Sequence, residues 1–528
     1  MDVDAAQYAL ISKEMFLSGR FLEVMVGGQD YLDKPPLLFW TTCLSFKVFG
    51  IHDWAYRLPS VLCLALGVYS VFRFARLFYD ERTAKIAALI MASCCASYLM
   101  TNDVRTDTML TGWVMFSIWQ IAEFNHSSRL KNILGGALGI GLAMLTKGPI
   151  GFLIPVVAFS SEFIYKKQWK NFFRWQYLPA LIVIALVLFP MSYGLYEQFD
   201  LHPEKTAYSI KSPSGLKFFF WTQSFGRITG ESSLSNNPDP FFLVHSFLWG
   251  FLPWTVFFLP AVFIQLRDKI KSFRNPDQSE VISIGGFLVI FLFLSLSKYQ
   301  LPHYIFVISP LAAVITANYV NRNLTENKSG FFSIVFRVHI FVMLVIYSLA
   351  FVLVNFVFSA SALFSIFIFV SLLVFLFILF YKRLNFSWRV LYCTILPFGT
   401  LVLILNTHFY PNLLSFQTGS RMAMDVNQIS SKDSRLLIFK SFPVISTNFY
   451  CKLPIVNKVN EKSLPKYLVK GKTYLFADSA DSEIIRQINP EIEVVKNYRG
   501  FPVTQLDATF LNPATRATTL EKKVLFRY

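Results

Sequence analysis

Charge is scarce in this chain. Only 15% of its 528 residues are Asp, Glu, Lys or Arg, where a soluble protein carries about 25%. That shortage excludes an ordinary soluble globular protein of this size. Acid is scarcer than base, 32 residues against 49, leaving a formal net charge of +17. Cysteine is scarce as well, with six residues in all. Cys43, Cys63, Cys94, Cys95 and Cys393 lie in apolar runs, and Cys451 stands alone in a polar tail. No spacing among them gives a disulfide framework or a metal knuckle, so they read as small apolar fillers. The first residues do not read as a basic-then-apolar secretory signal. Internal repeats and low-complexity tracts are also missing.

What fills the chain instead is apolar surface. Hydrophobic residues make up 54%, aromatic residues 17%, and there are 57 phenylalanines; the mean hydropathy is +0.48. The expected fold class is a polytopic α-helical membrane protein. Runs long enough to span a bilayer need roughly 20 residues. They fall near 57–79, 85–101, 107–124, 130–146, 148–165, 176–196, 241–264, 283–298, 304–320, 334–357, 360–381 and 387–406. The stretch 36–50 is apolar but short, and reads as a helix lying in the interface.

Every second loop is basic, carrying Arg73, Arg76, Arg82 and Lys85, then Arg129 and Lys131, then Lys166, Lys167, Lys170 and Arg174. The series continues with Arg267, Lys269, Lys271 and Arg274, then Arg322 and Lys328, then Lys382, Arg383 and Arg389. Positive loops stay on the cytoplasmic side. The excess of base is therefore a topology signal, and no nucleic-acid partner is expected. The alternate loops, including 1–56 and 197–240, and the tail after 406 face outward. The chain is already outside at Met1, so a further helix ahead of it is expected, bringing twelve spans to thirteen.

The tail turns polar, with short apolar runs at 435–439, 473–477 and 492–495 that read as strands and helical stretches at 461–469 and 482–488. Two domains are expected: a transmembrane catalytic domain over 1–406 and a small extramembrane α/β domain over 407–528.

Several outward positions carry chemistry. In Tyr31-Leu32-Asp33-Lys34-Pro35-Pro36-Leu37-Leu38-Phe39-Trp40, the two prolines stiffen the backbone and push Lys34 toward an extended conformation. The result is a fixed ammonium at the membrane face, suited to a lipid-linked phosphate; a plain loop entering an interfacial helix is the blander alternative. Asp2 and Asp4 precede an amphipathic segment over 5–17. Asp107 opens a membrane helix. It is placed either to serve the helix dipole or to act as a base or acceptor-orienting group. Arg57, Arg105, Lys147, Arg227 and Lys298 are outward cations as well. Arg57, Arg105 and Lys147 read best as helix-end anchors, and Lys298 and Arg227 as phosphate ligands. The turn Lys298-Tyr299-Gln300-Leu301-Pro302-His303-Tyr304 sets an imidazole beside a cation and two phenols. No divalent metal is needed, although Asp33, His245 and His303 are the residues one would use.

These segments together resemble the polytopic, GT-C-type glycosyltransferases that use polyprenyl-phosphate sugars. The nearest likenesses are the protein O-mannosyltransferase-like group and the bacterial lipid A aminoarabinose transferases. The resemblance runs over residues 1 to about 410. It rests on Asp4 with Tyr8-Ala9 and Glu14-Met15, on Tyr31 through Trp40, and on Arg57-Leu58-Pro59-Ser60. It continues through Thr106-Asp107, Lys147-Gly148-Pro149, Phe220-Trp221 with Arg227, Pro253-Trp254, and Ser297 through Tyr304. It implies a bacterial inner-membrane, multi-pass enzyme whose active site and C-terminal domain lie on the periplasmic side. Such an enzyme moves a sugar from a polyprenyl-phosphate donor to a lipid A, glycan or protein acceptor.

By the same likeness, Asp4 matches the leading residue of the family's acidic pair, whose partner is replaced here by Ala5; Asp2 stands ready to compensate. Asp107 matches the second family carboxylate, and Lys34 and Arg227 match groups that hold the carrier phosphate. The expected site is then catalytic Asp4 and Asp107; phosphate-binding Lys34, Arg227, Lys298 and His303; and Tyr31 and Asp2 lining the substrate pocket. A transporter or flippase of lipid-linked sugars is the alternative. It calls for broken helices with charge near the bilayer midplane.

Overall fold

The computed structural model describes residues 3–207, 210–223, 226, 236, 239–325, 330–442 and 444–528. Asp2 and Arg227, two of the expected site residues, lie outside the described residues. The chain divides into two compact units. One comprises residues 11–342 with 385–394, and the other residues 1–10, 343–384 and 395–528.

Apolar runs become helices because a backbone in lipid has to satisfy its own hydrogen bonds. Among the described residues, six helices are long and apolar enough to cross a bilayer: Asp53–Phe78, Tyr177–Asp200, Pro302–Thr325, Gly330–Val357, Ala362–Phe380 and Phe386–Leu414. Shorter apolar helices occur at Leu37–Phe49, Ile150–Tyr165 and Ile282–Ser295. Thr106–Ser127 and Leu130–Lys147 are helices of 22 and 18 residues.

Two runs that the sequence presents as single spans are broken. Glu81–Ser93 and Cys95–Asn102 meet at 49°, and Phe242–Gly250 and Thr255–Lys271 at 119°. Pro253 sits in the second break and has no amide proton for a helical ladder. The breaks face each other. The Cys95 amide donates to the Leu252 carbonyl at 2.7 Å, and the Trp254 indole N–H donates to Ser93 Oγ at 2.9 Å.

The larger unit is closed by small residues at helix crossings, the usual way for membrane helices to approach. A Cβ on Gly112 would lie 2.2 Å from the Cys63 carbonyl oxygen, and one on Gly67 would lie 3.3 Å from the Gly112 Cα. Helices Asp53–Phe78 and Thr106–Ser127 therefore pack backbone to backbone. At the basic-loop end, Arg73 ties its helix to Glu123 of Thr106–Ser127 at 3.0 Å, while Lys166 pairs with Glu162 at the end of its own helix at 2.6 Å and Lys269 with Asp277 of the following loop at 2.7 Å.

In the other unit, a five-stranded mixed sheet runs in the order Ile455–Val459, Arg435–Phe439, Thr473–Asp478, Glu521–Arg527, Glu493–Gly500. The first three strands are parallel, and Glu521–Arg527 pairs antiparallel with both of its neighbours. Alternate residues of Arg435–Phe439 feed two cores. Leu436 and Ile438 pack with Met422 and Val426, while Leu437 and Phe439 pack with Leu464 and Ile485. This is the period of two that a strand covered on both faces requires. The strands Ile455–Val459 and Glu521–Arg527 and the helix Thr418–Ile429 escape a reading of apolar runs. The first is interrupted by Asn457 and Lys458, the second opens on Glu521, Lys522 and Lys523, and the helix has a polar face.

Candidate active site

Helix Thr106–Ser127 begins at Asp107's turn, and its cap position, Arg105, contributes no side-chain cap. The Asp107 carboxylate serves another purpose. It is buried, with its side chain 3% exposed, and forms an ion pair with Lys147. Its second oxygen lies 3.7 Å from His303 Nε2.

Lys147 reaches it from the last turn of Leu130–Lys147. Gly148 follows in a left-handed conformation, φ 82°, that glycine adopts readily. Pro149 then starts Ile150–Tyr165. The Lys147 ammonium also sits 3.8 Å from the centre of the Tyr304 ring. His303 and Tyr304 come from the 3₁₀ turn Pro302–Ile308, with their rings 5.1 Å apart at 88°. Arg105 binds Asp103 at 2.7 Å. Its charge acts on both Asp107 and His303, and Lys34 acts on His303 as well. Three cations, each with its own carboxylate (Lys147 with Asp107, Arg105 with Asp103, Lys34 with Asp33), thus share one electrostatic neighbourhood with the His303 imidazole.

Lys34 is held by its approach strand. Val24 and Gln198 exchange two hydrogen bonds, of 3.1 and 3.0 Å, and Gln198 Nε2 also donates to Asp30 at 2.8 Å. Lys205 pairs with Asp30 at 3.1 Å. These contacts pin the loop to Tyr177–Asp200. Lys34 Nζ lies 2.5 Å from Asp33, and its side chain is only 12% exposed. Gln223 Nε2 donates to the other Asp33 oxygen at 3.4 Å. Tyr31 is buried, edge-on to Phe39 with ring centres 6.3 Å apart. Tyr31 and Lys34 line a recess of ≈ 20 Å³, room for about one water molecule.

Lys298 is exposed on the turn before His303. Asn236 braces that turn, donating to the Lys298 and Gln300 carbonyls at 3.3 and 2.7 Å. Asp4 stands in the first turn of Val3–Ser18, half-buried, and belongs to the other compact unit.

The set that a metal would use is not gathered. Among the described residues, no group of three His, Cys, Asp or Glu side chains is placed to hold an ion. His303 turns to Asp107, and His245 packs against the Phe242 ring 5.3 Å away. Lys147 is the residue that sequence reasoning underrated as a helix-end anchor. The available signal was charge complementarity: Asp107 and Lys147 end two consecutive helices on the same expected side.

Comparison with known proteins agrees with this picture. Residues 33–193 match the family model of dolichyl-phosphate-mannose-protein mannosyltransferases. An undecaprenyl phosphate-alpha-4-amino-4-deoxy-L-arabinose arabinosyl transferase of Edwardsiella ictaluri is 30% identical over 332 residues, covering 61% of this chain and 56% of that protein. Its counterpart in Pseudomonas aeruginosa is 29% identical over 328 residues, 60% and 55% of the two chains. The chain thus spans a little over half the length of the curated relatives it matches. The crystal structure of ArnT from Cupriavidus metallidurans bound to undecaprenyl phosphate superposes with a TM-score of 0.71 at 18% identity, covering 99% of this chain and 93% of that one. The fold is therefore that of a multi-pass membrane protein like ArnT. In its matched segment and its fold, the chain is similar to the GT-C-type membrane glycosyltransferases that depend on polyprenyl-phosphate sugars.

Proposed function

We propose that the chain is an integral membrane glycosyltransferase that moves a sugar from a polyprenyl-phosphate carrier to an envelope acceptor, lipid A first among the candidates. The observation that carries this reading is the cluster of Asp107, Lys147 and His303 with Lys34 and Arg105 inside their field. A lipid phosphate is already a good leaving group. Its departure needs fixed cations on the oxygens that gain charge and a base or orienting group for the incoming hydroxyl.

In this scheme Lys34 receives the carrier phosphate, with Arg227, Lys298 and His303 assisting and Tyr31 walling the pocket. Asp107 holds Lys147 and the imidazole in place and balances the ammonium's charge before the donor arrives. The acceptor-orienting role falls to Asp4 by the family likeness alone, with Asp2 two positions before it in sequence. The site opens on the periplasmic side of a bacterial inner membrane. Counting the two broken pairs as one span each, and adding Thr106–Ser127, Leu130–Lys147, Ile150–Tyr165 and Ile282–Ser295, reaches twelve crossings. Residues 1–406 then form the catalytic domain, and 407–528 the periplasmic domain. Transport fits less well. Both helix breaks are lined by uncharged residues such as Cys94, Leu252 and Trp254, whereas a transporter sets its ion sites at such breaks.

The test is reconstitution of the full chain in vesicles with polyprenyl-phosphate sugars and lipid A. Release of polyprenyl phosphate with stoichiometric glycosylation of the acceptor is expected. Passage of intact donor across the bilayer without cleavage would overturn the reading.

A further inference from the structure

The end of the bundle away from Asp107 carries a second, larger opening. Asn125 and His126 line it, eighteen residues beyond Asp107 on the same helix, which places them about 27 Å along the axis. The pocket has a volume of ≈ 770 Å³. Lys166, Lys167, Lys170 and Arg174 line it against a single carboxylate, Glu162. Glu162 is already committed, accepting from Lys166 at 2.6 Å and from the Val281 amide at 2.6 Å. Lys167 reaches only a backbone carbonyl, that of Arg274 at 3.2 Å. Arg174 binds the neutral amides of Asn125 and Asn171. Glu162 offsets Lys166 alone; among the described residues no acidic side chain forms an ion pair with Lys167, Lys170 or Arg174, so the opening is a cationic cup.

Two further features surround it. The short helix Trp169–Phe173 and the residues after it expose Trp169, Phe173 and Trp175, Phe173 to 88%. Exposed aromatics at a helix end belong at the level of lipid head groups. Directly below lies an apolar crevice of ≈ 400 Å³, walled by Ile121, Ala137, Val156, Phe159 and Ile184. Phe163 lines both the cup and the crevice.

We infer that cup and crevice together bind an anionic phospholipid, with its phosphate among Lys167, Lys170 and Arg174 and an acyl chain in the crevice. Basic pockets between membrane helices on the positive-loop side suit such head groups. The inference rests on the chain being a membrane protein, and is independent of the chemistry at Asp107.

The full chain in mild detergent is the sample, and native mass spectrometry after exposure to phosphatidylglycerol or to phosphatidylcholine of identical chains is the readout. Phosphatidylglycerol is expected to be retained at least about tenfold better, and K167Q/K170Q to erase that preference. Val156→Trp, which fills the crevice from a partly exposed position, is expected to lower retention with the cup intact. Equal retention of the two lipids, or undiminished preference in K167Q/K170Q, overturns the proposal. Displacement by millimolar inorganic phosphate also overturns it, making the cup a soluble-anion site. Sugar transfer by K167Q/K170Q should match wild type, so failure here leaves the transferase reading untouched, and loss of transfer elsewhere does not bear on the lipid.

Discussion

Asp107→Asn is the sharpest perturbation of the candidate site. The substitution keeps the shape and removes the charge that faces Lys147 and His303. Stranding one member of a buried pair costs about 3–5 kcal/mol. Lys147 is 15% exposed and keeps the Tyr304 ring at 3.8 Å, a contact that supplies about 1–2 kcal/mol where water is excluded. That contact is present in wild type and variant alike and cancels in the difference, so the partial exposure of Lys147 sets the expected loss at the low end, about 3 kcal/mol. Lys147→Met alone strands the carboxylate instead and should cost at least as much, because Asp107 is the more deeply buried partner. Asp107→Asn/Lys147→Met strands neither charge. Its cost should fall short of the sum of the single variants by about 1.5 kcal/mol or more. Reversible unfolding of detergent-solubilised protein, read for all four members of the cycle, measures that coupling. A value within about 0.5 kcal/mol of zero, the level seen for independent sites, refutes the claim that the two residues form one electrostatic unit.

Further outcomes follow from the same geometry. Lys34→Ala should raise KM for the lipid-phosphate donor roughly tenfold or more, as loss of a charged hydrogen bond implies, with a smaller change in kcat; a donor titration decides it. Gly112→Ala should destabilise the larger unit by about 1–3 kcal/mol, since the added methyl meets the Cys63 carbonyl at 2.2 Å; thermal unfolding checks it, and an unchanged midpoint would show that the helices part freely. In the sheet unit, burial pushes Asp425 up, but hydrogen bonds from Lys496 at 2.8 Å and the Tyr498 hydroxyl at 2.7 Å outweigh it and hold the carboxyl below its usual range. A depressed carboxylate contributes stability above its unfolded value, near pH 3.9, and that stability is lost as pH falls through the folded value. Unfolding followed from pH 6 to pH 2 should therefore show an acid-dependent decline that Asp425→Asn flattens.

The amino-acid sequence alone carries the helices and the family likeness. Apolar run length and the alternation of basic loops report directly on the cost of burying charge and backbone in lipid, so the helices and the likeness to the polyprenyl-phosphate transferases were legible. Lys34 and Asp107 could be singled out too, as a cation before two prolines and an acid at a membrane helix start, although a plain loop and a helix dipole account for the same residues. What escaped depends on pairing across the fold. Lys147 resembled any helix-end lysine until Asp107 was set beside it. The breaks at Cys94 and at 251–254 carry no change in hydropathy, so a window sees one continuous run. The strands at 455–459 and 521–527 bury only short apolar stretches of their own, Val459 in one and Val524 to Phe526 in the other, beside polar and charged positions that hide them from a pattern read on one strand.

The hydrogen bond between the Cys95 amide and the Leu252 carbonyl makes the two kinks a matched pair. Each bend frees a backbone group that hydrocarbon would punish, and each supplies what the other lacks. Straightening one helix by mutation would orphan a donor or an acceptor in its neighbour, so relatives of this chain should carry both kinks or neither.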